Sequence, residues 1–238
     1  MGGGRPVRAV TDTSHPPQAS DRIALAGSDV SIPPLGVGTW AWGDKGTWGM
    51  GGYDQSLTES TIREAWEASI EAGVVLFDTA EIYGRGESER IIGRLLAAEV
   101  GARQRVVIAS KFMPSPWKLN VHSALLTSAR HSLERLGTES IDLYQIHGPT
   151  SLRSHDAMAE ALAAAHAEGL VKAVGVSNYS AKETRPSTPP FAVAGCVWQA
   201  TRWSSRCCAP CRSASGSSTA AASSASSPWR TRPSGRAA

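Results

Sequence analysis

Two ionisable side chains of opposite use, Asp78 and Tyr83, stand just past an apolar run, Val74-Val75-Leu76-Phe77, in the stretch VVLFDTAEIYGRG. The run has the length and branched character of a buried strand, and Gly84 and Gly86 mark the loop that follows. Other stretches that read as strands also end in polar residues: Val106–Ala109 before Ser110-Lys111, Ile141–Ile146 before His147, and Val171–Val176 before Ser177-Asn178. A phenol with an ordinary pKa near ~10 exchanges protons poorly at neutral pH. An ammonium beside it favours the phenolate and is expected to lower that pKa, and a carboxylate holds the ammonium charged and in place. Lys111 and Asp78 fit those two roles beside Tyr83, and His147 fits a hydrogen-bond donor to a carbonyl oxygen. The set suits proton delivery to a carbonyl as it becomes an alcohol. The hydride would come from elsewhere, because no side chain supplies one. Taken singly, each residue has an ordinary reading: a capping aspartate, a solvated lysine, a structural histidine.

The elements that would bring these residues together alternate. Arg22 to Ser31 is expected to form a short hairpin over one end of the domain, and Pro34 to Gly38 a first strand. A glycine-rich loop, 44–55, follows. Ser56-x-x-Glu59 reads as a capping box opening a helix with Ile62, Ala65, Trp66 and Ile70 on one face and Gly73 past its end. Strand 74–78 comes next. Ser88 is expected to cap a helix carrying Ile91, Ile92, Leu95 and Leu96, and strand 106–109 leads to Lys111. Asn120 caps a helix with Leu125, Ala129, Leu133 and Leu136 inward, and strand 141–146 reaches His147. A helix over about 155–168 turns Met158, Ala161, Leu162 and Ala165 inward, and strand 171–176 ends at Ser177. Strands and helices repeating every ~30 residues predict a parallel sheet wound by right-handed crossovers. An open dinucleotide-binding sheet would carry G-x-G-x-x-G after its first strand; GTWAWG lacks it, so the fold expected is α/β, an incomplete (β/α)8 TIM barrel of about five β/α units.

Composition divides the chain. It has 238 residues, a net charge of +3 and 41% hydrophobic residues. All 21 acidic residues precede Pro186, whereas the six charged residues after it are all arginine. The basic balance therefore belongs to the tail and does not argue for nucleic-acid binding by the folded part. Residues 1–21 read as a disordered terminus or the remnant of a transit peptide, 22–182 as the partial barrel, and 183–238 as a low-complexity, disordered tail. The four cysteines lie in that tail; Cys208-x-x-Cys211 lacks the second pair a zinc site needs, so no metal is expected. No apolar run approaches membrane-spanning length.

FDTAEIYG followed by Gly86-Glu87-Ser88-Glu89, the strand-end Lys111, IDLYQIH and GLVKAVGVSN occur in one order and spacing. Together they resemble the aldo-keto reductase family over about residues 22–182, and the LGVGTWAWG opening resembles its plant plastid-type members. The resemblance implies a barrel enzyme that reduces an aldehyde or ketone with NADP as cofactor. It assigns Tyr83 as general acid, Lys111 and Asp78 as its tuning pair, and His147 as the residue that orients the carbonyl. It further places Gly38, Thr39, Trp40 and Asp78 along the cofactor or substrate, and Ser177 and Asn178 on the nicotinamide carboxamide. The implied partner is a small-molecule carbonyl substrate, and the implied location the chloroplast, with the cytoplasm as the alternative. The family holds the far end of its cofactor with loops after the seventh and eighth strands, to which this chain has no counterpart. A shifted frame or retained intron from about Pro186 is the expected cause. Three readings of the chain stay open: a reductase of weakened activity, a non-catalytic binding or regulatory subunit, and an unstable product.

Overall fold

Each stretch read above as a strand becomes one. The structure, a computed structural model, describes residues 21–25, 28–43 and 57–180. A hairpin of β1 (Ile23–Ala24) and β2 (Ser31–Ile32) precedes β3 (Gly36–Gly38), α1 (Glu59–Glu71) and β4 (Leu76–Asp78). A 3-10 turn, Tyr83–Gly86, runs into α2 (Glu87–Ala98), which is followed by a short α3 (Ala102–Arg105) and β5 (Val107–Phe112). The pattern closes with α4 (Val121–Leu136), β6 (Ile141–Ile146), α5 (His155–Ala167) and β7 (Val171–Val176). The expectations for the N-terminal stretch to residue 20, the loop 44–55 and the tail with Cys208-x-x-Cys211 lie outside the described residues. Among the described residues no helix is long and apolar enough to cross a membrane.

The five strands β3 to β7 pair in chain order, all parallel. A doubly wound sheet reverses its strand order at a switch point; an order that never reverses is that of a barrel wall. Alternation along each strand sorts side chains to two faces. Phe77, Ile108, Phe112, Tyr144 and Ile146 face outward, into a core with Trp66, Ile92, Leu95, Leu125, Ala129 and Leu162 of the helices. Trp66 stacks on Phe77 at 4.1 Å between ring centres. Leu76, Ala109, Leu143 and Ala173 face the other way and pack with Leu25, Val30 and Ile32 of the hairpin. The hairpin thus plugs the inside of the curl near the beginnings of the strands and leaves their far ends clear.

Local chemistry corrects two helix starts. The first helix begins at Glu59 with Thr58 as its cap, not Ser56. Thr58 Oγ1 accepts from the Thr61 amide at 3.3 Å, and Thr61 Oγ1 accepts from the Thr58 amide at 2.9 Å, so a hydroxyl does what the expected glutamate would have done. Ser88 does not cap α2. Gly86, at φ 85°, holds the capping position, and Ser88 sits inside the first turn with its hydroxyl turned to the strand ends. A side chain is excluded at Gly86 twice over: a Cβ there would also lie 2.6 Å from Cδ of Arg135. Strand β4 is shorter than expected because the Val74 amide closes the turn onto Ser69 O at 2.9 Å. Strand β5 is longer and carries Lys111 within it. The cap at Asn120, the inward faces of α4 and α5, and the spans of β6 and β7 follow the expectation.

Helices α2 and α4 touch at Gly93, where a Cβ would stand 2.5 Å from the Arg135 carbonyl oxygen. Backbone cannot yield as a side-chain tip can. Gly93→Ala should therefore destabilise the fold by about 1–3 kcal/mol through overpacking, although alanine is intrinsically the better helix former by ~1 kcal/mol. A urea melt checks this, and an unchanged or raised midpoint would count against so close a helix pair.

Candidate active site

Strand register, more than any single motif, gathers the polar residues. Asp78 lies opposite Ala109, and Lys111 stands two residues further along β5. Lys111 lies opposite Gln145, and His147 stands two residues beyond that on the chain leaving β6. Ser177 follows β7, its amide bonded to Ile146 O at 2.8 Å. Steps of two keep a side chain on the same face. Asp78, Lys111, His147 and Ser177 therefore share the inner face, rising past the end of the hairpin-filled core.

Lys111 is the centre of the group and only 2% exposed. Its ammonium is 2.7 Å from each Asp78 carboxylate oxygen, 2.8 Å from Thr79 O and 3.4 Å from Tyr83 Oη. A buried amine is costly to charge unless its hydrogens find acceptors. Burial here works to discharge it, but Asp78 and then Tyr83 outweigh burial and hold its pKa above the ordinary value. Tyr83 corrects the expectation of a more acidic phenol. Burial pushes its pKa up, Lys111 pulls it down, Asp78 pushes it up again, and the net shift is upward from 10.0. The phenol is accordingly protonated at neutral pH. Because its oxygen accepts from Lys111, its own hydrogen is free to be given to something else.

That hydrogen faces a small aromatic enclosure. The His147 ring stands edge-on to Tyr83 at 5.6 Å, and Trp40 lies 6.4 Å away, tilted. His147 is held by its backbone on both sides: its amide donates to Phe112 O at 2.8 Å, and its carbonyl accepts from Asn178 Nδ2 at 2.8 Å. Burial, with a smaller push from Lys111, lowers its pKa to about 4. The imidazole is neutral at pH 7, and among the described residues its buried Nδ1 has no hydrogen-bond partner. A neutral ring with the proton on Nε2 is a donor to a carbonyl oxygen.

The other expected residues divide. At Gly38 no described residue lies within 4 Å of where a Cβ would be. Thr39 is wholly buried, and its hydroxyl is taken up by Asp78 O and Ser88 Oγ, which leaves no hydroxyl hydrogen for a ligand. Ser177 is buried, whereas Asn178 is exposed at φ 62°, a left-handed conformation that asparagine tolerates well. Asn178 Nδ2 serves His147 and Ser177, which leaves the amide oxygen as the acceptor of this exposed side chain. Glu81 supports the loop, accepting from the Met113 amide at 2.7 Å and from Lys118 at 3.3 Å. Two inner residues went unmarked in the sequence: Ser88, read as a cap, and Gln145, buried opposite Lys111. The even spacing from Gln145 to His147 is the signal that could have found the second.

Comparison with known proteins identifies the family of the chain. Residues 34–189 match the model of the "Aldo/keto reductase family". The chain is 35% identical over 166 residues to the chloroplastic pyridoxal reductase of Arabidopsis thaliana, covering 65% of this chain and 44% of that protein. It is 36% identical over 166 residues to the aldo-keto reductase YhdN of Bacillus subtilis, covering 67% and 47%. In structure it is similar to an aldo-keto reductase of Klebsiella pneumoniae in complex with NADPH, with a TM-score of 0.54, 29% identity, and coverage of 66% of this chain and 50% of that one. The chain spans about half the length of the curated relatives it matches.

The depressed His147 pKa has a consequence for stability. An unfolded histidine takes a proton below its ordinary 6.5, whereas this one resists protonation down to about 4. The stability it contributes is thus complete above pH 6.5 and is lost as pH falls from there to about 4, by a few kcal/mol at most. Thermal melts across that range should show the wild-type chain losing more stability than His147→Asn, in which the group is absent. Parallel pH profiles would refute the assignment.

Proposed function

The chain belongs to the aldo/keto reductase family, and from that premise we propose that it reduces an aldehyde or ketone to an alcohol with NADPH. The observation that carries the reading is the Lys111 ammonium, 3.4 Å from Tyr83 Oη and clamped at 2.7 Å by Asp78. Tyr83 is the proton donor. Lys111 holds the phenol oxygen by donating to it, which turns the phenol hydrogen outward and steadies the phenolate left after transfer. Asp78 keeps Lys111 charged and fixed. His147 donates a hydrogen bond to the same carbonyl oxygen and sets the angle at which it meets Tyr83.

The residues present suit a nicotinamide. Among the described residues the Asn178 amide oxygen, beside Ser177, has no hydrogen-bond donor, a fit for the amide hydrogens of a carboxamide. Among the same residues Gly38 leaves space at the end of β3, and Trp40 offers an aromatic wall beside Tyr83. Ser177, Asn178, Gly38, Trp40 and the neighbourhood of Asp78 would hold that end of the cofactor. When bound, it supplies the hydride that the carbonyl carbon receives.

The substrate proposed is a small carbonyl compound, and the proposed location is the chloroplast. The location is supported by the 35% identity to a protein named as chloroplastic. A fluorescent fusion of the whole chain expressed in leaf cells checks it, and exclusion from plastids would overturn it.

Titration of purified chain with NADPH, followed by turnover of a test aldehyde, checks the chemistry. Tyr83→Phe should keep cofactor binding and lower turnover by about 10²–10⁴-fold, the usual worth of a positioned proton donor. Because the phenol pKa lies above 10.0, reduction by the wild-type chain should be level through neutral pH and fall only in alkali beyond that value. Saturable binding without Tyr83-dependent turnover would instead assign a non-catalytic binding role.

A further inference from the structure

Three hydroxyls meet beneath the strand ends, and none is exposed: Thr39, Thr79 and Ser88. Ser88 Oγ lies 2.7 Å from Thr39 Oγ1 and 2.9 Å from Thr79 Oγ1, and it donates to Thr39 O at 2.9 Å. Thr39 grips the peptide of Asp78: its amide donates to Asp78 O at 2.9 Å and its hydroxyl to the same oxygen at 3.1 Å. Thr79 turns its hydroxyl to Ser88 and its carbonyl to the Lys111 ammonium, at 2.8 Å. Ser88 therefore makes no hydrogen bond to Tyr83, Lys111 or the Asp78 carboxylate, yet it holds Thr39, which grips the Asp78 peptide, and Thr79, whose carbonyl accepts from Lys111.

The same contact closes a loop. Tyr83 rides on the segment between Thr79 and Ser88, and the hydrogen bond between those two hydroxyls ties its ends together. We infer that Ser88 is a positioning residue, fixing the peptide of Asp78, the carbonyl of Thr79 and the base of the Tyr83 loop so that phenol and ammonium stay in register. The kinetic side of this inference rests on the carbonyl-reductase reading above; the geometric side does not. Ser88 does not hold α2 in place alone. Its neighbour Glu89, wholly buried, accepts from Ser110 Oγ and from Arg135 Nε, each at 2.6 Å, and anchors the start of the helix on the opposite side. Removing the Ser88 hydroxyl should leave the helix docked and the loop untied.

Three variants and two readouts test this. Ser88→Ala deletes the shared hydroxyl, Thr79→Val deletes its partner with little change of shape, and Asn120→Ala loosens the remote start of α4 as a control. The readouts are kcat and KM for aldehyde reduction with NADPH, and the pH titration of the Tyr83 ring by carbon-labelled tyrosine NMR. Ser88→Ala and Thr79→Val should each lower kcat by about 10- to 100-fold, as a small misplacement of reacting groups does, while KM for NADPH stays put. Both should displace the Tyr83 titration from its wild-type midpoint. The double variant should be no worse than either single one, because both remove the same tie. Asn120→Ala should change neither readout. A wild-type Tyr83 titration and kcat in both hydroxyl variants would overturn the inference, as would the same displacement in Asn120→Ala. Should the wild-type chain turn over no carbonyl, the reductase reading fails while the NMR arm still decides the role of Ser88. Should Ser88→Ala fail to fold, Thr79→Val decides it.

Discussion

A charged amine with almost no access to water governs this structure. Lys111 needs acceptors for its hydrogens, and the interior provides them from three different segments: the Asp78 carboxylate, the Thr79 carbonyl and the Tyr83 phenol. Breaking such a buried pair from one side costs about 3–5 kcal/mol, because the other charge is left uncompensated. The requirement reaches outward from there. The end of β4, the turn that follows it and the middle of β5 have one mutual placement in which the amine is satisfied. The apolar core beneath, plugged by the hairpin, makes that placement rigid without contributing to the chemistry.

The same charge makes Tyr83 and His147 what they are. Each is buried enough that its neutral form is favoured, and each lies close enough to Lys111 to feel its field, with opposite results. For the phenol the ammonium is a partner that tempers the effect of burial; for the imidazole it is a like charge that adds to it. One group keeps a proton that it can give away, and the other stays uncharged and can only lend a hydrogen bond. Two roles are thus separated by environment, with no difference needed in the solvent they face.

Much of this was legible in the residues. Strands β6 and β7 were bounded correctly because each is a short stretch rich in branched and aromatic residues between turn signals, and the inward residues of α5 followed from helical spacing alone. Asp78, Lys111 and His147 could be put at one end of the sheet because each stands where a stretch of strand character gives way to a loop. The failures lay where local chemistry has equivalents. A hydroxyl at Thr61 closes a capping box as well as a glutamate does, so Ser56 and Glu59 were a false pair. Ser88 looked like a cap because it precedes an apolar helix, but its hydroxyl is claimed by residues far away in sequence. The direction of the Tyr83 shift was also misread: sequence names the neighbouring charges and says nothing of how deep the phenol lies.

Strand β5 is gripped on both of its faces. On the inner side Lys111 meets Asp78; on the outer side its neighbour Ser110 meets Glu89, which is itself paired with Arg135. Sliding the strand by a single residue would exchange the two sides. Slid one way, Lys111 would take the place of Ser110 among the helices, and Asp78 would be left facing the apolar ring of Phe112; slid the other way, Asp78 would meet only the neutral alcohol of Ser110. Adjacent residues of opposite preference therefore act as a lock on alignment, one that penalises a slipped sheet from both sides and needs no ligand to do so.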